Sequence, residues 1–300
     1  MWAALASAEY LWVIPAQLSL LAGFVVITWR WQRLLRPAGT VSNRRAFNLV
    51  MISYLINYVL PGRLGELARS YMVGRDGISR LAALATVALE KVLDGLVILL
   101  ALGIAATVLP LPAWGHWIGL AGILLFGGAF LVVIVWLRME ERGVALLMRV
   151  LSPVSPRFAG TVAAMADRFT IGLAALRTSE DFLAVSLLSV LHWVTNALVM
   201  AFTIRAFGFD VPFIGAVLLM AVLGLGTTVP SAPGALGTYQ WLTLQVLALF
   251  GIAQSDALGF ALVLQFSQTA TIALVGGLAM VWEGTSPARI LDLRSTAPDA

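Results

Sequence analysis

The chain has 300 residues, of which 60% are hydrophobic and only 11% charged, and its mean hydropathy is +0.94. Soluble domains carry about 25% charged residues, so this composition cannot clothe a soluble fold and predicts an all-α polytopic membrane protein. The absence of cysteine excludes disulfides, thiolate metal sites and cysteine nucleophiles; with His116 and His192 far apart, no metal or other cofactor is expected.

A helix needs about 20 apolar residues to cross a hydrocarbon core. Residues 11–29 form the first such stretch, with no basic segment before it and no small-residue cleavage site, so it reads as a retained span. Residues 47–60 are apolar but stop at Pro61-Gly62, after which a polar-studded helix continues to Gly74. Full spans follow at 81–109 and 117–137, and the segment 140–180 reads as an amphipathic connector lying along the interface. Another span occupies 183–204. The stretch 213–229 then stops at Pro230, passes through Ser231, Ala232, Pro233 and Gly234, and resumes from Tyr239 to Phe250. Residues 258–282 form the last span, and a tail at 283–300 is expected to be disordered.

Proline and glycine interrupt the hydrogen-bond ladder of a helix, and lipid cannot satisfy the freed groups. The two breaks are therefore read as re-entrant hairpins, giving about five full spans plus two broken hairpins. Arg30, Arg33, Arg36, Arg44 and Arg45 follow the first span, and Arg69, Arg75 and Arg80 lie beyond the first break. More arginines, Arg138 to Arg177, fill the connector, whereas the loops at 110–116, 208–212 and 252–257 contain no lysine or arginine. This asymmetry predicts an N-terminus outside and a C-terminus inside. It also accounts for the net charge of +4 without a nucleic-acid partner. Tryptophans at span ends, including Trp12, Trp29, Trp31, Trp114, Trp117 and Trp282, are read as an interfacial belt.

The breaks resemble one another: Pro61-Gly62-Arg63-Leu64-Gly65 matches Pro233-Gly234-Ala235-Leu236-Gly237. Each sits in the order span, broken hairpin, span, and the charge pattern gives the two copies opposite orientation. The reading is one transmembrane domain, 1–282, with repeat one at about 11–109, a linker span and connector at 117–180, and repeat two at about 183–282. Paired broken segments in inverted halves point to a transporter's central binding site.

Beside the first break stand Arg63, Glu66 and Arg69, and the next span carries Glu90, Lys91 and Asp94. At 1.5 Å per residue from Leu81, these last three lie roughly 15–20 Å deep, where an ionised side chain costs at least about 2.5–3.5 kcal/mol. Glu90 and Asp94 share a helix face, Lys91 can pair with Asp94, and Arg63 or Arg69 can answer the acids across the interface. The cluster is either an ion-pair network pinning the hairpin to the span or a polar site for a headgroup or a proton. The second half is more neutral, offering Gln240, Gln265 and Gln268 with Ser267 and Thr269. His192 and Asn196 share one face of their span and favour an interhelical hydrogen bond.

The run Asn57-Tyr58-Val59-Leu60-Pro61-Gly62-Arg63-Leu64-Gly65-Glu66, followed by Arg69 and by Glu90-Lys91-Val92-Leu93-Asp94, resembles flippase-like membrane proteins of the lysylphosphatidylglycerol synthase transmembrane family. The second PG-x-LG element, at Pro233, Gly234 and Gly237, fits as well, as do Gly276 and Gly277. The resemblance covers about residues 11–282. It implies a protein of the cell membrane that moves a lipid or a polyprenyl-linked intermediate between leaflets, alongside an envelope-lipid biosynthetic enzyme. Asn57, Arg63, Glu66, Arg69, Glu90 and Asp94 match the family pattern. Relatives fused to a synthase domain charge a phospholipid with an amino acid; no such domain is present here, so that activity does not carry over. Gln240 and Gln265 depart from an acidic residue and an arginine in the family, as if one ion pair had become one amide pair. The extra N-terminal span of many relatives also has no room in residues 1–10.

The leading expectation is a lipid flippase working by alternating access, with Arg63 and Arg69 on a phosphate and Glu90 and Asp94 holding those arginines. The alternatives are a membrane-embedded lipid-modifying enzyme, an accessory subunit of a lipid glycosyltransferase, or an ion or small-solute channel. No catalytic motif appears in the sequence, and no enzyme activity is expected.

Overall fold

The computed structural model describes residues 2–60, 64–153, 155–228 and 233–285, and the regular elements among them are all helical. A short α1 (Trp2–Ser7) leads into α2 (Val13–Leu35), then α3 (Asn43–Val59) and α4 (Leu64–Val73) form the first broken pair ahead of α5 (Arg80–Val108). Helix α6 (Ala113–Gly122) runs through one π-helical turn, Ile123–Gly127, into α7 (Gly128–Leu151). There follow α8 (Pro156–Leu173), α9 (Ser179–Ala206), the second broken pair α10 (Phe213–Gly226) and α11 (Thr238–Ala248), and α12 (Gln254–Trp282).

Local chemistry sets the helix starts. At the arginine-rich end, the hydroxyls of Ser42, Ser79 and Thr178 accept from the backbone N–H of Arg45, Ala82 and Asp181, satisfying donors that a helix start leaves open. At the other end, Pro112 and Pro212 fix the extended residue from which α6 and α10 begin. The helices are apolar outside as well as inside: Leu11 is 79% exposed, Val281 75% and Leu124 70%. Lipid accepts such side chains where water would not. Trp29, Trp117 and Trp282 share this outer surface, but Trp31 is fully buried and belongs to the core rather than to an interfacial belt.

Six helices are long and apolar enough to cross a membrane, and Phe213–Gly226 is a shorter apolar helix. The count exceeds the expected five because Pro156–Leu176, read above as an amphipathic connector, also meets the requirement of length and composition. Its charges, Arg157, Asp167 and Arg168, are too few to lower the mean hydropathy of the window below that of a span.

Both interruptions are breaks between helices. Leu60, after α3, is extended at φ −109° and ψ 141°. The arms α3 and α4 then pack so closely that a Cβ on Gly65 would collide with the Ser53 carbonyl oxygen and Asn57 Oδ1. At the second break Gly234 and Gly237 have φ of 64° and 84°, values that favour glycine. Pro61, Gly62, Arg63 and Pro230 lie outside the described residues, as does most of the expected tail, 286–300.

At the arginine-rich end a clasp ties three elements together. Arg45 donates to Asp76 at 3.1 Å and to the Met72 carbonyl at 3.3 Å, and it pairs with Glu283 just beyond α12. Asn48 donates to the other oxygen of Glu283 at 2.7 Å.

Candidate functional site

The buried charges fall where α2, α4, α5 and α9 meet. Arg30, on α2, forms a fork with Asp94 through Nη1–Oδ1 at 2.5 Å and Nη2–Oδ2 at 3.1 Å, and Nη1 also donates to Ser189 Oγ at 3.0 Å. Its Nε faces Glu90 Oε1 at 3.6 Å. Glu90 is paired with Arg69, whose guanidinium lies 4.4 Å from the centre of the Trp31 ring. Trp31 is anchored in turn by donating to Thr86 Oγ1 at 3.1 Å. Trp193 on α9 adds a 3.0 Å hydrogen bond to Asp94 Oδ1. Arg30, Arg69 and Glu90 are almost completely buried.

This arrangement revises the expected partners. Arg69 answers Glu90 across the interface as anticipated, but Asp94 is held by Arg30. That arginine lies within the buried part of α2, because the helix continues past it to Leu35. Lys91 does not turn to Asp94, whose oxygens are occupied by Arg30 and Trp193. It pairs instead with Glu66 of α4 at 3.0 Å. Lys91 is the accessible member of the group, with its side chain 41% exposed.

Asn57 accepts from Gly65 N at 2.8 Å and so pins the two arms of the first hairpin. In the second half, Gln240 accepts from Gly237 N at 2.7 Å and donates to Gln265, while Gln265 donates to the Gly234 carbonyl at 2.6 Å. The amide pair therefore holds the second break in shape. Pro233 begins the short 3₁₀ turn Pro233–Ala235 that carries it. His192 meets the Gly23 carbonyl at 3.3 Å across α2 and α9, and Asn196 donates back to the His192 carbonyl at 2.9 Å.

A cavity of about 440 Å³ opens beside these groups. Glu66, Lys91 and Asp94 line one side, and Asn57, His192, Asn196, Thr227, Thr228 and Gln268 supply neutral polar groups. Tyr54, Tyr58, Tyr239, Trp193 and Phe126 form aromatic walls. Phe126 comes from the π-helical turn, and its ring occupies the space a Cβ on Gly95 would need. The two breaks approach one another at the cavity through described flanking residues, where a Cβ on Gly234 would lie 3.5 Å from Tyr58 Cδ1. Tyr239 Oη and Glu66 Oε2 are buried without a hydrogen-bond partner among the described residues. Arg69, Glu90, Gln240 and Gln265 do not line the cavity. Sequence reasoning missed Arg30, Trp193 and the tyrosines; the Trp29-Arg30-Trp31 run inside an apolar helix was the one available signal for Arg30. Among the described residues no group of histidine and carboxylate side chains could hold a metal ion.

A sequence profile described as the lysylphosphatidylglycerol synthase TM region matches residues 1–276. No curated protein and no solved structure matches the chain.

Proposed function

The chain belongs to the lysylphosphatidylglycerol synthase TM region family, and from that premise we propose that this multi-pass membrane protein carries a lipid or lipid-linked intermediate between leaflets. The observation that supports the reading best is the cavity bordered by residues flanking both breaks, Leu60 and Gly234 among them, and by the Glu66–Lys91 pair. A polar headgroup enters it while the acyl or prenyl chains stay in lipid. Lys91 takes the phosphate, because it is exposed and its tie to Glu66 can be exchanged for a ligand. Arg69 is committed to Glu90 and Trp31, so its role is to fix α4 against α5 and α2. Asp94 and Glu90 hold Arg30 and Arg69, and Arg30 thereby joins α2 to α5.

An alternating, inverted-repeat mechanism is part of the proposal. In each half a helical hairpin precedes a long helix, and one polar pair joins the second arm to that helix. Positions 66 and 91, like 240 and 265, are 25 residues apart. The clasp of Arg45, Asp76 and Glu283 closes the arginine-rich side, and its opening would expose the cavity there.

Reconstitution with a fluorescent phospholipid and with a polyprenyl-phosphate analogue tests the reading. Wild type should transfer one of them faster than empty vesicles, and Lys91→Gln should slow transfer about tenfold or more, as expected for losing a hydrogen bond to a charged group. Wild-type vesicles that move neither lipid faster than empty ones would remove the proposal's support.

A further inference from the structure

Helix α8 is apolar enough to span, yet its contacts keep it at one end of the molecule. Its last turns pack on the first turns of α5, where Gly172 lies against Ala82 and Ala85, and Thr170 accepts from Trp136 Nε1 at 2.8 Å. The next helix, α9, starts beside the end of α2, where Asp181 pairs with Arg33 at 3.3 Å. The segment therefore leaves α7 and reaches α9 on the same, arginine-rich side.

Between α8, α4 and the turn into α5 runs a groove of about 740 Å³, separate from the central cavity. Leu67, Leu84 and Met165 give it an apolar wall, and Arg80 and Arg168 stand in it. Arg80 is fixed: its guanidinium lies 3.9 Å from the centre of the Tyr71 ring, and its stem crosses Gly74, where a Cβ would come within 2.8 Å of Arg80 Cγ and Nε. Among the described residues neither Arg80 nor Arg168 has a carboxylate partner within 4.0 Å. A preset guanidinium with no carboxylate partner among the described residues, a second cation and an apolar strip at the level where α5 begins match a phosphodiester with its acyl chain. We propose that this groove binds an anionic phospholipid of the leaflet facing the arginine-rich end, with the phosphate on Arg80 and Arg168 and one chain along Leu67, Leu84 and Met165. The proposal does not depend on the transport reading.

Native mass spectrometry of the purified full chain, with phosphatidylglycerol or phosphatidylcholine added to the detergent, provides the test. Phosphatidylglycerol should be retained in preference to phosphatidylcholine, and Arg80→Gln and Arg168→Gln should each weaken retention about tenfold. Arg157→Gln, an exposed arginine nearer the start of α8, should leave retention unchanged. Met165→Trp, which fills the groove and keeps both charges, should also lower it. Equal retention by the double arginine variant, equal retention of phosphatidylcholine, or competition by inorganic phosphate alone as effective as that of the lipid would each overturn the proposal.

Discussion

Replacing Arg30 with methionine removes the cation that bridges Asp94 and Glu90 while roughly keeping the length of the side chain. Asp94 then retains only the Trp193 indole among these partners, and Glu90 loses the charge facing it at 3.6 Å. Breaking a buried ion pair from one side costs about 3–5 kcal/mol, because the other charge is left uncompensated. At about 2–4 °C per kcal/mol for a domain of this order of size, the apparent Tm should fall by ~6–20 °C. Arg36→Met is the internal control: its side chain is 58% exposed and Asp181 keeps Arg33 at 3.3 Å, exposed pairs contribute about 0–1 kcal/mol, and the corresponding shift is under ~4 °C. The double variant Arg30→Met/Asp94→Leu should recover much of the loss, since an apolar pair of similar volume often replaces a buried ion pair at little cost. Size-exclusion profiles of detergent-solubilised protein after graded heating measure all three. If Arg30→Met melts no lower than Arg36→Met, or the double variant melts below Arg30→Met, the assignment of Arg30 as the keystone of this network is wrong.

Two further substitutions probe the breaks. Gly65→Ala sets a methyl group against the Ser53 carbonyl oxygen; a backbone atom cannot swing aside, so about 1–3 kcal/mol should be lost, and the same heating series should show that Asn57→Ala does not restore it. Gln265→Leu leaves the Gly234 carbonyl without its 2.6 Å donor and Gln240 without its acceptor. A loss of about 1–3 kcal/mol is expected, together with faster amide hydrogen exchange at Gly237 and the first turn of α11, and unchanged exchange there would refute the pinning role.

The interruptions were legible in the sequence because proline and glycine act locally. Leu60 leaves the helix one residue before Pro61, and Gly234 and Gly237 take the positive φ that their type allows. The shared face of Glu90 and Asp94 was legible too, since the helical repeat is fixed, and both carboxylates meet Arg30. Partner choice was not. Lys91 stands three residues from Asp94, but Arg30 and Trp193, brought by α2 and α9 from far along the chain, already occupy that carboxylate. Arg30 itself resembled the other arginines of the loop after the first span, and only the continuation of α2 to Leu35 distinguishes it from them. The segment of α8, expected from the sequence to be an amphipathic connector, also meets the length and hydropathy of a span, because hydropathy records how apolar a helix is and not where its neighbours hold it.

The buried network has a consequence for energetics across the membrane. Arg30, Arg69 and Lys91 are matched by Glu66, Glu90 and Asp94, so these six residues together bring no net charge to the interior of the helix assembly. On the proposed transport route a phosphate that takes Lys91 from Glu66 adds its charge to a set that sums to zero, so the charge carried across is the headgroup's own. By that route the passage of an anionic lipid would be electrogenic, with the membrane potential contributing about 2.3 kcal/mol per charge per 100 mV. A zwitterionic lipid would cross with no such contribution. Voltage sensitivity of transfer would therefore report the net charge of the cargo.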